Sequence, residues 1–162
     1  MINHKYNFLY IRVAKTASTS ILSKIPETHL IENSWEYDIN HIPLWFYKNN
    51  ILTDSNYIQY FKFAFVRNPF DRAVSIWKYY NAWVNKHSKE KVNLTFKETI
   101  CAENEKINQK KFKSKYGSQF LFTQGCDFIG KYENIQEDFN TVCDKIGIQQ
   151  QQLPQKNKSK HK

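Results

Sequence analysis

Phe8-Leu9-Tyr10-Ile11-Arg12-Val13-Ala14-Lys15-Thr16-Ala17-Ser18-Thr19-Ser20-Ile21-Leu22 is the stretch that decides the fold. Its character changes twice. The first six residues are mostly β-branched or aromatic, as in a strand buried on both faces. A small, hydroxyl-rich turn with one lysine follows, and Ile21-Leu22 then resumes an apolar pattern. The reading is strand, tight loop, helix N-terminus. A helix N-terminus offers unpaired N–H groups and partial positive charge, which suits a phosphate or sulfate. The same grammar recurs in Phe63-Ala64-Phe65-Val66-Arg67-Asn68-Pro69-Phe70-Asp71-Arg72-Ala73-Val74-Ser75. Here Arg67 stands at the strand's carboxyl end and Ser75 two helical turns further on. Two such loops suit a ligand with anionic groups at both ends.

Outward from these stretches, strands are expected over 6–13, 60–66 and 127–132, with 29–31 as a brief further candidate. A short helix should start near Ser18 and stop before Pro26. Pro43 suits the first turn of a helix through Leu44, Trp45, Phe46 and Tyr47, which Asn49-Asn50 would end. Residues 70–84 pattern as a helix, with Ala73, Val74, Trp77 and Tyr80 at helical spacing. A polar loop is expected over 85–91. Thr95 and Glu98 form a capping box at the head of another helix. Residues 103–115 are charged and unpatterned, an exposed helix or loop. Asn134 can cap a helix over 135–146, whose Ile135, Phe139, Val142, Cys143 and Ile146 share one face, with Gly147 as its C-cap. Strands alternating with helices give an α/β fold around a parallel sheet, with the ligand beyond the strands' carboxyl ends. One domain over 1–148 and a polar basic tail over 149–162 are expected.

The chain has 162 residues, enough for one core, and its net charge of +9 implies an anionic partner. A nucleotide, an acidic glycan, nucleic acid and a membrane surface all fit that charge. Four of the lysines lie within 156–162 and also fit a solvated tail. The three cysteines, Cys101, Cys126 and Cys143, form no C-x-x-C pair and support neither a disulfide framework nor a zinc site. Cys143 reads as a small core residue. The chain opens Met1-Ile2-Asn3-His4-Lys5 and goes straight into a strand, and no apolar run reaches membrane-spanning length. A cytoplasmic protein without a leader or a membrane span is the expectation.

These residues resemble the sulfotransferases that use 3′-phosphoadenosine 5′-phosphosulfate (PAPS), specifically the carbohydrate-type, family 2-like branch. Lys15-Thr16-Ala17-Ser18-Thr19-Ser20 resembles the family's 5′-phosphosulfate loop. Arg67 and Ser75, within Val66-Arg67-Asn68-Pro69-Phe70-Asp71-Arg72 and its sequel, resemble the 3′-phosphate pair. Phe128-Ile129-Gly130-Lys131-Tyr132-Glu133-Asn134 with Glu137-Asp138-Phe139 resembles the later strand-to-helix unit. Leu153-Pro154 with Asn157-Lys158-Ser159-Lys160 resembles the segment after it, making Asn157, Lys158 and Ser159 further candidate ligands. The resemblance implies a P-loop-NTPase-like parallel sheet flanked by helices. It also implies a minimal or C-terminally shortened form, because relatives continue into another helix. PAPS as donor, no metal, and a hydroxyl acceptor on a carbohydrate follow from it. The family often has two glycines where this chain has Ala17-Ser18, a departure that bears on loop shape.

Residue by residue, Lys15 is placed to neutralise a leaving phosphate, while Thr16, Ala17, Ser18, Thr19 and Ser20 offer hydroxyl and N–H donors. Thr19 or Ser20 can equally be plain N-caps. Arg67 suits a phosphate by charge and shape, or it pairs with Asp71 or Glu98. Arg72 can orient the loop through Asp71 or a carbonyl. His41, between the two loops, is the chosen catalytic base, ahead of His29, Glu32, Glu36 and Asp38. Trp83 and Trp45 can line an acceptor cleft, whereas Trp77 and Tyr80 read as core. No G-x-x-x-x-G-K-[ST] pattern is present, which disfavours a nucleotide kinase. A non-catalytic nucleotide or polyanion binder is the alternative, and no specific nucleic-acid partner is expected.

Overall fold

A computed structural model describes residues 1–28, 41–87, 93–101 and 117–154. The expected strand at 29–31, the alternative bases His29, Glu32, Glu36 and Asp38, and the charged stretch 103–115 lie outside the described residues, as do Asn157, Lys158 and Ser159.

In chain order the elements are β1 (Ile2–Asn3), β2 (Phe8–Ile11), α1 (Ser18–Leu22), α2 (Leu44–Asn50), α3 (Asp54–Gln59) and β3 (Phe61–Val66). Then come α4 (Pro69–His87), α5 (described over 96–101), α6 (Gln119–Thr123), β4 (Phe128–Lys131) and α7 (Ile135–Ile146). The sheet runs β1-β2-β3-β4. β2, β3 and β4 are parallel, with Ile11 opposite Ala64 and Val66 opposite Lys131; β1 adds an antiparallel edge. This is an α/β architecture with a mostly parallel sheet between helical layers.

The alternation of side chains along a strand assigns the two layers. Phe8, Tyr10, Phe63 and Phe65 face one side, under Ile21 of α1 and under Phe139, Val142, Cys143 and Ile146 of α7. Leu9, Ile11 and Ala64 face the other, under Leu44 and Tyr47 of α2 and Phe122 of α6. All four residues of β2 are buried, which explains its unbroken apolar run.

α7 occupies the expected span, and Gly147 closes it in the left-handed conformation at φ 72°. Its N–H donates to Asp144 O at 3.4 Å, and the Ile148 N–H donates to Cys143 O at 3.0 Å. Asn134 does not cap α7 with its side chain; a 3₁₀ turn, Tyr132–Asn134, leads into the helix instead. α4 runs past its expected end to His87, whose Nδ1 bonds Trp83 O at 2.8 Å. The capping box at α5 forms: Thr95 N–H donates to Glu98 Oε2 at 2.7 Å and Glu98 N–H to Thr95 Oγ1 at 3.2 Å. β1, α3 and α6 are elements the sequence did not announce.

Candidate active site

β2 and β3 are parallel neighbours, so the chain leaves both at the same edge of the sheet. At the end of β2, Thr16 turns inward. Its hydroxyl donates to Val13 O at 2.9 Å and the residue is buried. The Thr16 side chain therefore holds the loop together. Lys15 at φ 68° and Ala17 at φ 63° are both left-handed. Such a residue costs roughly 1–2 kcal/mol without glycine. Alanine at 17 thus adopts a conformation natural to the glycine often found there. Left-handed residues either side of Thr16 alternate the backbone hand, a geometry that turns successive N–H groups toward one point. The amides of residues 17–19 donate no hydrogen bond among the described residues. α1 is only five residues long, so a helix dipole adds little at this loop. Ala17 is the N-cap of α1 and caps with no side chain, so neither Thr19 nor Ser20 has that role. Ser18 and Ser20 are buried, and Thr19 is exposed.

α4 packs across this loop. Arg72 is buried, its Nε donates to Ala14 O at 2.9 Å, and its Nη1 donates to Gly117 O at 3.1 Å. Of the two alternatives for Arg72, the carbonyl one is found. One turn on, Ser75 is buried, and at the next turn Tyr79 presents its ring to Lys15, whose Nζ lies 4.2 Å from the centroid. Arg72, Ser75 and Tyr79 follow helical spacing, so one face of α4 serves the loop.

The second loop is clamped from both sides. Gln119 of α6 accepts the Arg67 N–H at 2.9 Å and donates Nε2–H to Arg67 O at 2.8 Å. Glu133 accepts the Asn68 N–H at 2.6 Å. Asn68 Oδ1 in turn caps α4, accepting from Phe70 N at 3.0 Å and Asp71 N at 3.4 Å. The Arg67 guanidinium carbon lies 4.2 Å from the centroid of the Tyr132 ring. Its Nε is buried without a hydrogen bond. Arg67 pairs with neither Asp71 nor Glu98 among the described residues.

His41 bonds Arg12 O through Nδ1 at 3.0 Å. A carbonyl only accepts, so Nδ1 carries the proton, and a neutral ring then has its lone pair on Nε2. His41 is thereby tied to the strand end that feeds the Lys15 loop. Trp77 is half-buried and donates to Leu94 O at 2.7 Å, whereas Trp83 and Trp45 are 49% and 41% exposed. Among the described residues no helix is long and apolar enough to cross a membrane.

Tyr79 and Gln119 escaped the sequence reading, and Tyr132 and Glu133 entered it only within the strand-to-helix unit, with no part assigned to them at the Arg67 loop. Tyr79 was within reach of that reading, four positions after Ser75 on the same helix. Gln119 follows a long unpatterned stretch and carries no local signal.

The mostly parallel sheet sends two strand-to-helix loops, after β2 and β3, to one edge. The chain belongs to the sulfotransferase family, whose profile matches residues 1–162, and the family's chemistry is sulfuryl transfer. An uncharacterized protein of Archaeoglobus fulgidus is 30% identical over 112 residues, 66% of this chain and 83% of that protein. No solved structure matches.

Proposed function

We propose that this protein transfers a sulfuryl group from PAPS to an acceptor hydroxyl, on a carbohydrate. The observation that carries the reading is the convergence of Lys15, Arg67 and His41 on one sheet edge, with the Arg72–Ala14 bond joining α4 to the first loop. The amides of residues 17–19 and Lys15 suit the 5′-phosphosulfate. Arg67, with Ser75 on α4, suits the 3′-phosphate.

In this reading the acceptor oxygen attacks sulfur in line, and the bond from sulfur to the 5′-phosphate oxygen breaks. His41 Nε2 takes the acceptor's proton. Lys15 leaves the Tyr79 ring to neutralise the charge that develops on the departing phosphate oxygen. No residue need form a covalent intermediate.

Calorimetric titration tests the donor. Adenosine 3′,5′-bisphosphate should bind in preference to ATP, because Arg67 recognises a 3′-phosphate that ATP lacks. Arg67→Ala should weaken binding of the bisphosphate by about 1.5–3 kcal/mol, the scale of a hydrogen bond to a charged group. Equal affinities for the two nucleotides in the wild-type protein would refute the donor assignment.

A further inference from the structure

Arg67 is held by residues that no sequence motif had linked to it. An arginine is a long side chain with several rotatable bonds. Presenting its fork to one phosphate in one geometry requires that its freedom be removed beforehand. Two contacts remove it. Gln119 closes a two-bond amide clamp on the Arg67 backbone, accepting from its N–H and donating to its carbonyl. This fixes the peptide on both sides of the Cα. Tyr132 lays its ring 4.2 Å from the guanidinium carbon, within cation–π range. A ring face satisfies the cation's charge without using its N–H donors. The outcome is an arginine whose plane is set while Nε remains buried without a hydrogen bond. An ion pair with a carboxylate would orient Arg67 equally well but would occupy the donors a phosphate needs. Tyr132 comes from the end of β4 and Gln119 from α6, so both sides of the clamp are remote in sequence from the loop they serve.

We propose that Gln119 and Tyr132 are positioning residues that orient Arg67 for recognition of the 3′-phosphate, Gln119 through the backbone and Tyr132 through the face of its ring. This rests on the nucleotide-donor reading above. Neither residue need touch the nucleotide.

The test is a ratio. The dissociation constants of adenosine 5′-monophosphate and adenosine 3′,5′-bisphosphate are measured by calorimetry for each variant, and their quotient reports discrimination for the 3′-phosphate alone. Arg67→Ala should bring the quotient close to one. Tyr132→Leu should lower it by about 3- to 30-fold, the range of a lost cation–π contact. Gln119→Leu should lower it by about 3- to 10-fold. Tyr132→Phe keeps the ring and should stay within about twofold of wild type. Affinity for the 5′-monophosphate should hold in all of these variants, which also reports that they are folded. If Arg67→Ala collapses the quotient but Tyr132→Leu and Gln119→Leu leave it intact, the positioning role is wrong and the donor reading stands. Equal weakening of both nucleotides in Tyr132→Leu would also overturn it, because Tyr132 would then contact the nucleoside. If Arg67→Ala leaves the quotient unchanged, the donor reading itself fails. The two leucine variants lie on different elements, so one that fails to fold leaves the other to decide. Loss of folding in both would overturn the proposal by making the pair purely structural.

Discussion

Lys15 sits in a left-handed backbone with its ammonium against a tyrosine face, and both features bear on what it does. The ring holds the cation near the loop through its face. Its charge matters most when the leaving oxygen gains charge, so Lys15→Ala should act mainly on the chemical step. We expect sulfuryl transfer to fall by about 10²–10³-fold in that variant, with affinity for the desulfated nucleotide changed far less. Single-turnover transfer of labelled sulfate beside calorimetry separates the two. Transfer near the wild-type rate would reduce Lys15 to a surface lysine. His41 makes a complementary prediction. Its Nδ1–H bond to Arg12 O places the basic lone pair on Nε2. His41→Ala should leave nucleotide binding intact and slow transfer by about 10²–10⁴-fold, the usual worth of a general base. A general base at this position works only as neutral imidazole, so wild-type transfer should decline in acid, and that decline should be absent from His41→Ala. A variant with the same rate and the same pH profile as wild type would eliminate His41.

At the scale of elements, β4 shows how a strand can position a site it does not form. Gly130 lies opposite Phe65 in the β3–β4 register. A Cβ added at Gly130 would come within 2.5 Å of the Phe65 ring, and Phe65 is fully buried. The ring cannot swing away, so Gly130→Ala should push β4 off β3. We expect a loss of about 1–3 kcal/mol, the scale of core overpacking, read as a lower urea midpoint at unchanged m-value. Tyr132 and Glu133 follow directly on β4, so the same substitution should also erode preference for the 3′-phosphate. The sequence made β2, β3, α4 and α7 legible because each has an unbroken apolar run or a clear helical period. It left α6 hidden for a physical reason: the helix is five residues long, and its two outward apolar residues, Phe120 and Leu121, blur any period. β1 was hidden because two residues cannot show alternation. The site divides in the same way. Lys15 and Arg67 were singled out because a strand's end and a change in composition mark their loops, and His41 for its place between the two. The contacts of Gln119 and Tyr132 with Arg67 were hidden, because a bond across 52 residues and a ring face leave no trace in local pattern.

For the whole molecule, two buried tyrosines and one half-buried cysteine, on both sides of the sheet, set an alkaline limit on stability. Tyr10 packs on one face, stacked on Phe63 with centroids 4.9 Å apart. Tyr47 of α2 and Cys126, just before β4, lie with the other layer. Burial raises the pKa of all three: the Cys126 thiol is pushed up to about 12, and both phenols rise above their ordinary range. The Arg12 charge opposes the rise at both tyrosines, but desolvation outweighs it. The folded state therefore holds these protons more tightly than the unfolded chain does. A raised value contributes stability that is whole below the unfolded pKa, about 8.5 for the thiol and about 10 for a phenol. That stability is lost as pH rises through those values toward the folded ones. These three groups therefore leave the urea midpoint unaffected from pH 7 to about 8.5 and lower it steadily from there toward pH 11. Tyr10→Phe isolates one contributor. The Tyr10 hydroxyl is fully buried and has no hydrogen-bond partner, so removing it eliminates an uncompensated polar group while the ring stacking on Phe63 remains. At pH 7 the variant should be as stable as wild type or about 1 kcal/mol more stable. Between pH 9 and 11 its midpoint should fall less steeply, because one of the three titrations is gone. A wild-type midpoint flat to pH 11 would remove the alkaline limit altogether. An identical alkaline slope in Tyr10→Phe would assign that limit to Tyr47 and Cys126 alone.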